Sequence, residues 1–183
     1  MHYLPPVVQL LLAAVAVTAG IRDIRTRRIP NWLTVSGVAV GLALNGFLYE
    51  TPGLILALKG LGLALLIYFP LFAIRAVGAG DAKLMAAVGA IVGPANWLGI
   101  FFLTALIGGG VAVVLMLATG RAQKTASNVG LLVMQLAHFR APYLASAELD
   151  VHSPKAVGLP HAAMIAVGAC AFLGAAAVWA PRM

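Results

Sequence analysis

Long apolar runs, broken only by short stretches with glycine, proline or charge, constrain this chain most. A helix that crosses a bilayer needs about 20 mostly apolar residues, and 183 residues leave room for about six such helices and short loops. Only 9% of the residues are charged and 62% are hydrophobic, whereas a soluble domain has about 25% charged residues. The sequence therefore predicts an all-α, polytopic membrane bundle of about six transmembrane helices, a single domain over residues 1–183 in a lipid bilayer.

Proline and glycine divide the apolar runs. The segment Glu50–Gly53 is predicted to be a turn, and Gly93-Pro94 to end a run. The run before Gly93 is short for a full crossing, so it is expected to be tilted or to start in the interface. The expected apolar runs cover about residues 4–20, 32–49, 54–74, 84–92, 97–118 and 157–180.

Basic residues give the expected orientation. The chain has a net charge of +7, and its densest positive cluster, Arg22–Arg28, is predicted to form a loop after the first run. The positive-inside rule places this loop in the cytoplasm and both termini outside. Because the basic residues are spread over several loops, they orient a multi-pass protein of the cell membrane and do not indicate a nucleic-acid partner.

The segment 119–157 differs from the apolar runs. It carries several basic residues, and Leu132, Leu136, Phe139 and Tyr143 recur at helical spacing. We interpret it as a cytoplasmic loop with an amphipathic helix on the membrane surface. A buried or irregular connector is the alternative.

The motif GAGDAKL, residues 78–84, contains one of only five acidic residues in the chain. Gly78 and Gly80 leave room for the close approach of an extended peptide. Asp81 brings a titratable group to the edge of an apolar region, which is by default a functional-site hypothesis. The alternative is that Asp81 only caps the helix that follows.

A second aspartate, Asp23, is predicted to lie at the same side of the membrane. It is 58 residues before Asp81, and each lies at the cytoplasmic end of an apolar run. Two carboxylates at close range share a proton, so that one can accept a proton from water while the other donates to a carbonyl oxygen. An ion pair of Asp23 with Arg27, four residues on, is the alternative.

The remaining reactive side chains suggest no further chemistry. The single cysteine, Cys170, excludes an internal disulfide and a Cys-x-x-Cys metal pair, and we expect it to be a small buried apolar residue. The four histidines lack metal-ligand spacing. Neither a metal nor a cofactor is predicted.

Through two motifs together, the sequence resembles the type IV prepilin peptidase family. Members of this family are membrane aspartic peptidases that remove the leader of pilin precursors. One motif is Asp-x-Arg-x-Arg-x-Ile-Pro-Asn at residues 23–31, and the other is Gly-x-Gly-Asp followed by Lys-Leu at residues 78–84. The resemblance implies that Asp23 and Asp81 are the catalytic pair and that glycine precedes the scissile bond of a prepilin-like membrane substrate. It also implies that five residues of the motifs support the site: Pro30, Asn31, Gly78, Gly80 and Lys83.

The chain departs from the family pattern at two places. Larger members carry an N-terminal extension with Cys-x-x-Cys pairs that is associated with methylation, so this sequence resembles the short form of Flp or tight-adherence pili and is not expected to methylate. Leu159–Ala162 stands where the family often has Pro-Tyr-Gly. Presenilin-like peptidases share Gly-x-Gly-Asp, but their first aspartate lies within a span and not in an Arg-rich loop.

Two functions of other classes fit the same residues. Asp23 and Asp81 could be ion or proton sites of a small transporter, although transporters usually place such residues near the midplane, often within repeats. A non-catalytic scaffold of a secretion machine is the other alternative. Cleavage of a prepilin by the purified protein separates all three.

Overall fold

A computed structural model of the chain describes residues 4–120 and 160–179, together with the isolated positions 127, 130 and 134. Over the described residues the chain is helical and contains no strand, which confirms the all-α prediction. Four helices are long and apolar enough to cross a membrane, so the chain is an integral membrane protein, whereas the expectation of about six spans is not confirmed. The helices are α1 (Pro6–Thr26), α2 (Asn31–Ala73), α3 (Ala79–Ala118) and α4 (His161–Trp179).

Helix α1 continues beyond the predicted end of the first apolar run. Its C-cap is Arg27, which adopts a left-handed conformation (φ 53°) and donates its backbone N–H to the carbonyl of Asp23 over 2.9 Å. The prediction that Arg22 and Arg25 lie in a loop is therefore wrong, because both lie on the helix. The buried residues of α1 recur at helical spacing on one face: Val8, Leu12, Val15, Ala16, Ala19, Gly20 and Asp23. This periodicity turns the carboxylate of Asp23 toward the other helices.

Helix α2 consists of two arms that fold back on each other at Glu50, whose backbone is not helical (φ 55°, ψ −142°). A side chain on Gly53 would overlap the carbonyl oxygen of Asn45, eight residues earlier. In a straight helix these residues would be about 12 Å apart along the axis. The chain thus reverses at the predicted turn, and the arms on either side of Glu50 are antiparallel.

Helix α3 has the same construction around Gly93, which has a φ of 73° and precedes Pro94. The indole Nε1 of Trp97 donates to the carbonyl of Met85 over 3.0 Å, although 12 residues of straight helix would span about 18 Å. The predicted break at Gly93-Pro94 is confirmed. The arm before it starts at Ala79 and so includes the GAGDAKL aspartate, which the prediction had placed before the helix.

The first arm of α3 is the centre of the protein. Every residue from Leu84 to Gly93 is buried. It packs against the first arm of α2, where Asn45 Nδ2 donates to the carbonyls of Ala90 and Ile91 over 3.2 and 3.0 Å. Gly60, on the second arm of α2, lies directly against Gly89. Small residues allow this close approach, as is common between membrane helices.

Helix α4 packs on α1 and α3. A side chain on Gly20 would lie 2.9 Å from Cβ of Ala166, and one on Gly99 would lie 2.8 Å from the ring of Phe172. Cys170 is exposed on α4, so the prediction that it is buried is wrong. Packing against α1 brings the first residue of α4 next to the last turn of α1. The predicted amphipathic helix falls within 119–157, of which the structure describes only residues 119, 120, 127, 130 and 134.

Candidate active site

Asp23 is held at the start of α4. Its side chain is only 8% exposed, and Oδ2 accepts the backbone N–H of Ala162 over 3.0 Å. Because the first N–H groups of a helix have no partner within that helix, a carboxylate there satisfies one of them and interacts favourably with the helix dipole. The contact joins residues 139 positions apart, and it fixes the orientation of the Asp23 carboxylate.

Asp81 lies in the first turn of α3, where Gly78 is the N-cap. The side chain is half-buried and makes a hydrogen bond with the backbone of Gly78. This is the return half of a capping box, in which the third helical residue bonds back to the N-cap. Asp81 therefore helps to start α3, as the capping alternative expected. The same side chain also interacts electrostatically with Asp23, which capping does not require.

The two sequence motifs meet at the ends of α2 and α3. Lys83 Nζ donates to Oδ1 of Asn31 over 3.0 Å, across 52 residues of sequence. Pro30 is the N-cap of α2, where its missing N–H costs nothing. A side chain on Gly80 would lie 3.3 Å from Ile29. The structure thus brings together both aspartates and the residues that the sequence grouped with them.

Two side chains beside the pair were not predicted to be site residues. Tyr68 is buried, and it interacts electrostatically with Asp81. His161, the first residue of α4, interacts electrostatically with Asp23, and its ring centroid lies 6.4 Å from that of Tyr68. A tyrosine in an apolar run was the available signal, because a buried hydroxyl usually has a polar partner.

Aromatic rings close the apolar side of this group. Tyr68 packs edge-on against Trp97 and Phe101, with centroids 6.3 and 6.2 Å away. Within residues 4–120 and 160–179, no group of three or more His, Cys, Asp or Glu side chains could hold a metal ion. The site therefore combines two carboxylates, an imidazole and a phenol at the junction of helix ends.

The fold and the site define a helical membrane protein that holds two carboxylates together at the ends of its helices. The model of the type IV leader peptidase family matches residues 10–113, more than half of the chain, and the chain belongs to this family. It is accordingly a membrane-embedded peptidase, a hydrolase, which supports the peptidase interpretation over a transporter or a scaffold. A comparison with curated proteins and one with solved structures each found no match.

Proposed function

We propose that this chain is an aspartic endopeptidase that removes the short basic leader from Flp-like type IV prepilins at the cytoplasmic face of the membrane. The placement of Asp23 and Asp81 close enough to interact electrostatically carries the proposal. The two residues come from separate motifs, and the bond of Lys83 to Asn31 supports the same juxtaposition. A pair of carboxylates is the arrangement that aspartic proteases use.

The proposed reaction needs only the two carboxyl groups and water. One carboxylate accepts a proton as the water oxygen attacks the carbonyl carbon of the scissile amide. The other, protonated, donates its proton to the carbonyl oxygen. When the tetrahedral intermediate collapses, the C–N bond breaks and the departing nitrogen takes the proton that the first carboxylate had accepted from water. A hydroxyl group of the intermediate returns a proton to the second carboxylate as the new carboxyl carbonyl forms, so the pair is regenerated. Because the pair shares protons, it acts as one unit.

The proposed orientation places this pair on the cytoplasmic side. The arms of α2 and α3 would each cross separately, giving six passes, with the first arm of α3 the shortest. Its 14 residues before Gly93 span about 21 Å, less than the hydrocarbon thickness of about 30 Å. The arginines at the end of α1 support the orientation by the positive-inside rule.

Cysteine labelling tests this orientation with two threonines that are both exposed. In a background with Cys170→Ser, Thr51→Cys beside the Glu50 turn is expected to react with a membrane-impermeant maleimide in intact cells. Thr26→Cys at the end of α1 is expected to react only after permeabilisation, because the adjacent arginines hold it inside. Reaction of Thr26→Cys in intact cells contradicts the orientation.

The proposed substrate is a small membrane protein with a short basic leader before an apolar helix. Inserted with its leader in the cytoplasm, such a chain presents an extended segment at the level of the aspartates. Gly78 and Gly80 remove side chains beside Asp81, and both are only half-buried. These glycines support close approach of a peptide backbone, and the family resemblance adds a glycine before the scissile bond.

A purified preparation in detergent tests the specificity. Replacing the glycine before the scissile bond by leucine is expected to lower kcat/KM at least about tenfold, because a side chain there must be accommodated beside the aspartates. The control is a prepilin in which a leader residue several positions upstream is replaced by leucine, and this substrate is expected to be cut normally. Equal cleavage of both substrates rules out this mode of recognition, and failure to cut the unmodified prepilin rules out the proposed activity.

A further inference from the structure

His161 lies where the aspartate pair meets α4. The residue after it donates its N–H to Asp23 Oδ2 over 3.0 Å, and the imidazole itself interacts electrostatically with Asp23. On its other side is Tyr68, whose ring centroid is 6.4 Å away and which interacts electrostatically with Asp81. The imidazole thus interacts with Asp23 and lies beside Tyr68, the residue that interacts with Asp81.

The Nε2 atom of His161 is buried and has no hydrogen-bond partner among the described residues. Buried polar atoms in native proteins nearly always have a partner, because leaving one unpaired costs free energy. The neighbouring polar ring shows the usual situation, since Trp97 Nε1 donates to the carbonyl of Met85. An unpaired atom beside a proposed active site is available to bond a group that enters the site.

One other buried side-chain atom in the described residues lacks a partner, the hydroxyl oxygen of Thr104. Its setting differs, because a side chain on Gly168 would overlap this oxygen. Close packing of α3 on α4 thus occupies the space beside Thr104. Gly168 lies seven residues along α4 from His161, about 10 Å from the aspartate end of the helix, so Thr104 serves as an internal comparison.

An extended peptide supplies the matching chemistry. Its backbone has unpaired N–H and C=O groups, and an imidazole nitrogen donates or accepts according to its tautomer. The aromatic rings of Tyr68, Trp97 and Phe101 lie beside the same place and suit an apolar segment. We propose that His161 Nε2 makes a hydrogen bond to the substrate backbone next to the scissile bond, so that His161 is a substrate-binding residue; this rests on the proposed function.

The test uses the full-length protein in detergent and a prepilin substrate. His161→Phe keeps a planar ring but removes both nitrogens, and it is expected to raise KM about tenfold with kcat within about threefold of the wild type, the effect of losing one neutral hydrogen bond. His161→Gln retains hydrogen-bonding groups, so its KM is expected to lie between that of the wild type and that of His161→Phe. If His161→Phe does not accumulate, His161→Leu replaces it.

Binding of the uncleaved prepilin provides a readout that does not depend on turnover. In an Asp81→Asn background, adding His161→Phe is expected to weaken binding by the same factor of about ten. The matched control is Thr104→Val, which removes the other unpaired atom and is expected to leave KM and binding unchanged.

The outcomes separate this inference from the proposed function. An unchanged KM and unchanged binding in His161→Phe overturn the role of His161, and so does a fall in kcat at unchanged KM. Both results leave cleavage by the wild type intact. A wild-type protein that does not cut the prepilin overturns the proposed function, and the inference falls with it.

Discussion

Asp23→Asn and Asp81→Asn are each expected to lower prepilin cleavage at least about a thousandfold while leaving a folded membrane protein. Removing one positioned acid or base typically costs 10²–10⁴-fold in rate, and an amide can neither accept nor donate the required proton. Folding should survive because asparagine Oδ1 can still accept the Ala162 N–H that Asp23 receives. Neither substitution buries a new charge. The measurement is single-turnover cleavage at matched amounts of protein.

The double variant and a remote control sharpen this experiment. Because the two carboxyl groups act as a unit, Asp23→Asn with Asp81→Asn should be no slower than either single variant. Asp150→Asn makes the same chemical change outside both motifs and should keep full activity. Near-normal turnover in either single variant would falsify the pair. Loss of activity together with loss of folded protein would favour a structural role for that aspartate.

Gly60→Ala is expected to destabilise the protein by about 3 kcal/mol or more, at the upper end for overpacked cores. The added methyl group would overlap the carbonyl oxygen of Gly89 and lie 2.9 Å from the carbonyl carbon of Gly93. Both obstacles are backbone, so no side chain can rotate away. The change should appear as a lower midpoint temperature of thermal unfolding in detergent. Activity should fall as well, because this contact positions the arm of α3 that carries Asp81.

Gly62 offers a matched control on the same helix, two residues away. A side chain there meets nothing within 4 Å, and alanine has a higher helix propensity than glycine by about 1 kcal/mol. Gly62→Ala should therefore keep or slightly raise the midpoint. If Gly60→Ala unfolds at the same midpoint as Gly62→Ala, the close approach of α2 and α3 is not as the structure has it.

Local signals in the sequence predicted the interruptions of the helices well. Glu50 and Gly93-Pro94 interrupt α2 and α3 where turn residues predicted it, because backbone preferences act over a few residues. Helix ends were less predictable. Helix α1 passes through the first arginines and ends only at Thr26, since arginines at the end of a membrane helix can extend their charges toward water.

Which face of each helix is buried could not be read from hydropathy. A lipid-facing surface is as apolar as the core, and large side chains such as Phe47 and Leu106 are among the most exposed, at 86% and 72%. The polar-to-apolar alternation that marks a soluble helix is therefore missing. Cys170 shows the consequence, because an apolar neighbourhood in the sequence predicted burial and the structure exposes it.

The sequence by itself determined the class of the protein, the positions of the helix breaks and the two motifs that contain the aspartates. The tertiary structure alone decided what surrounds them. Ala162 is 139 residues from Asp23, and Gly60 meets Gly89 between different helices. Such contacts depend on how helices pack, and membrane helices pack through small residues that occur throughout the chain. Local patterns specify each helix, whereas only the shapes of the assembled helices select the partners of Asp23, Tyr68 and His161.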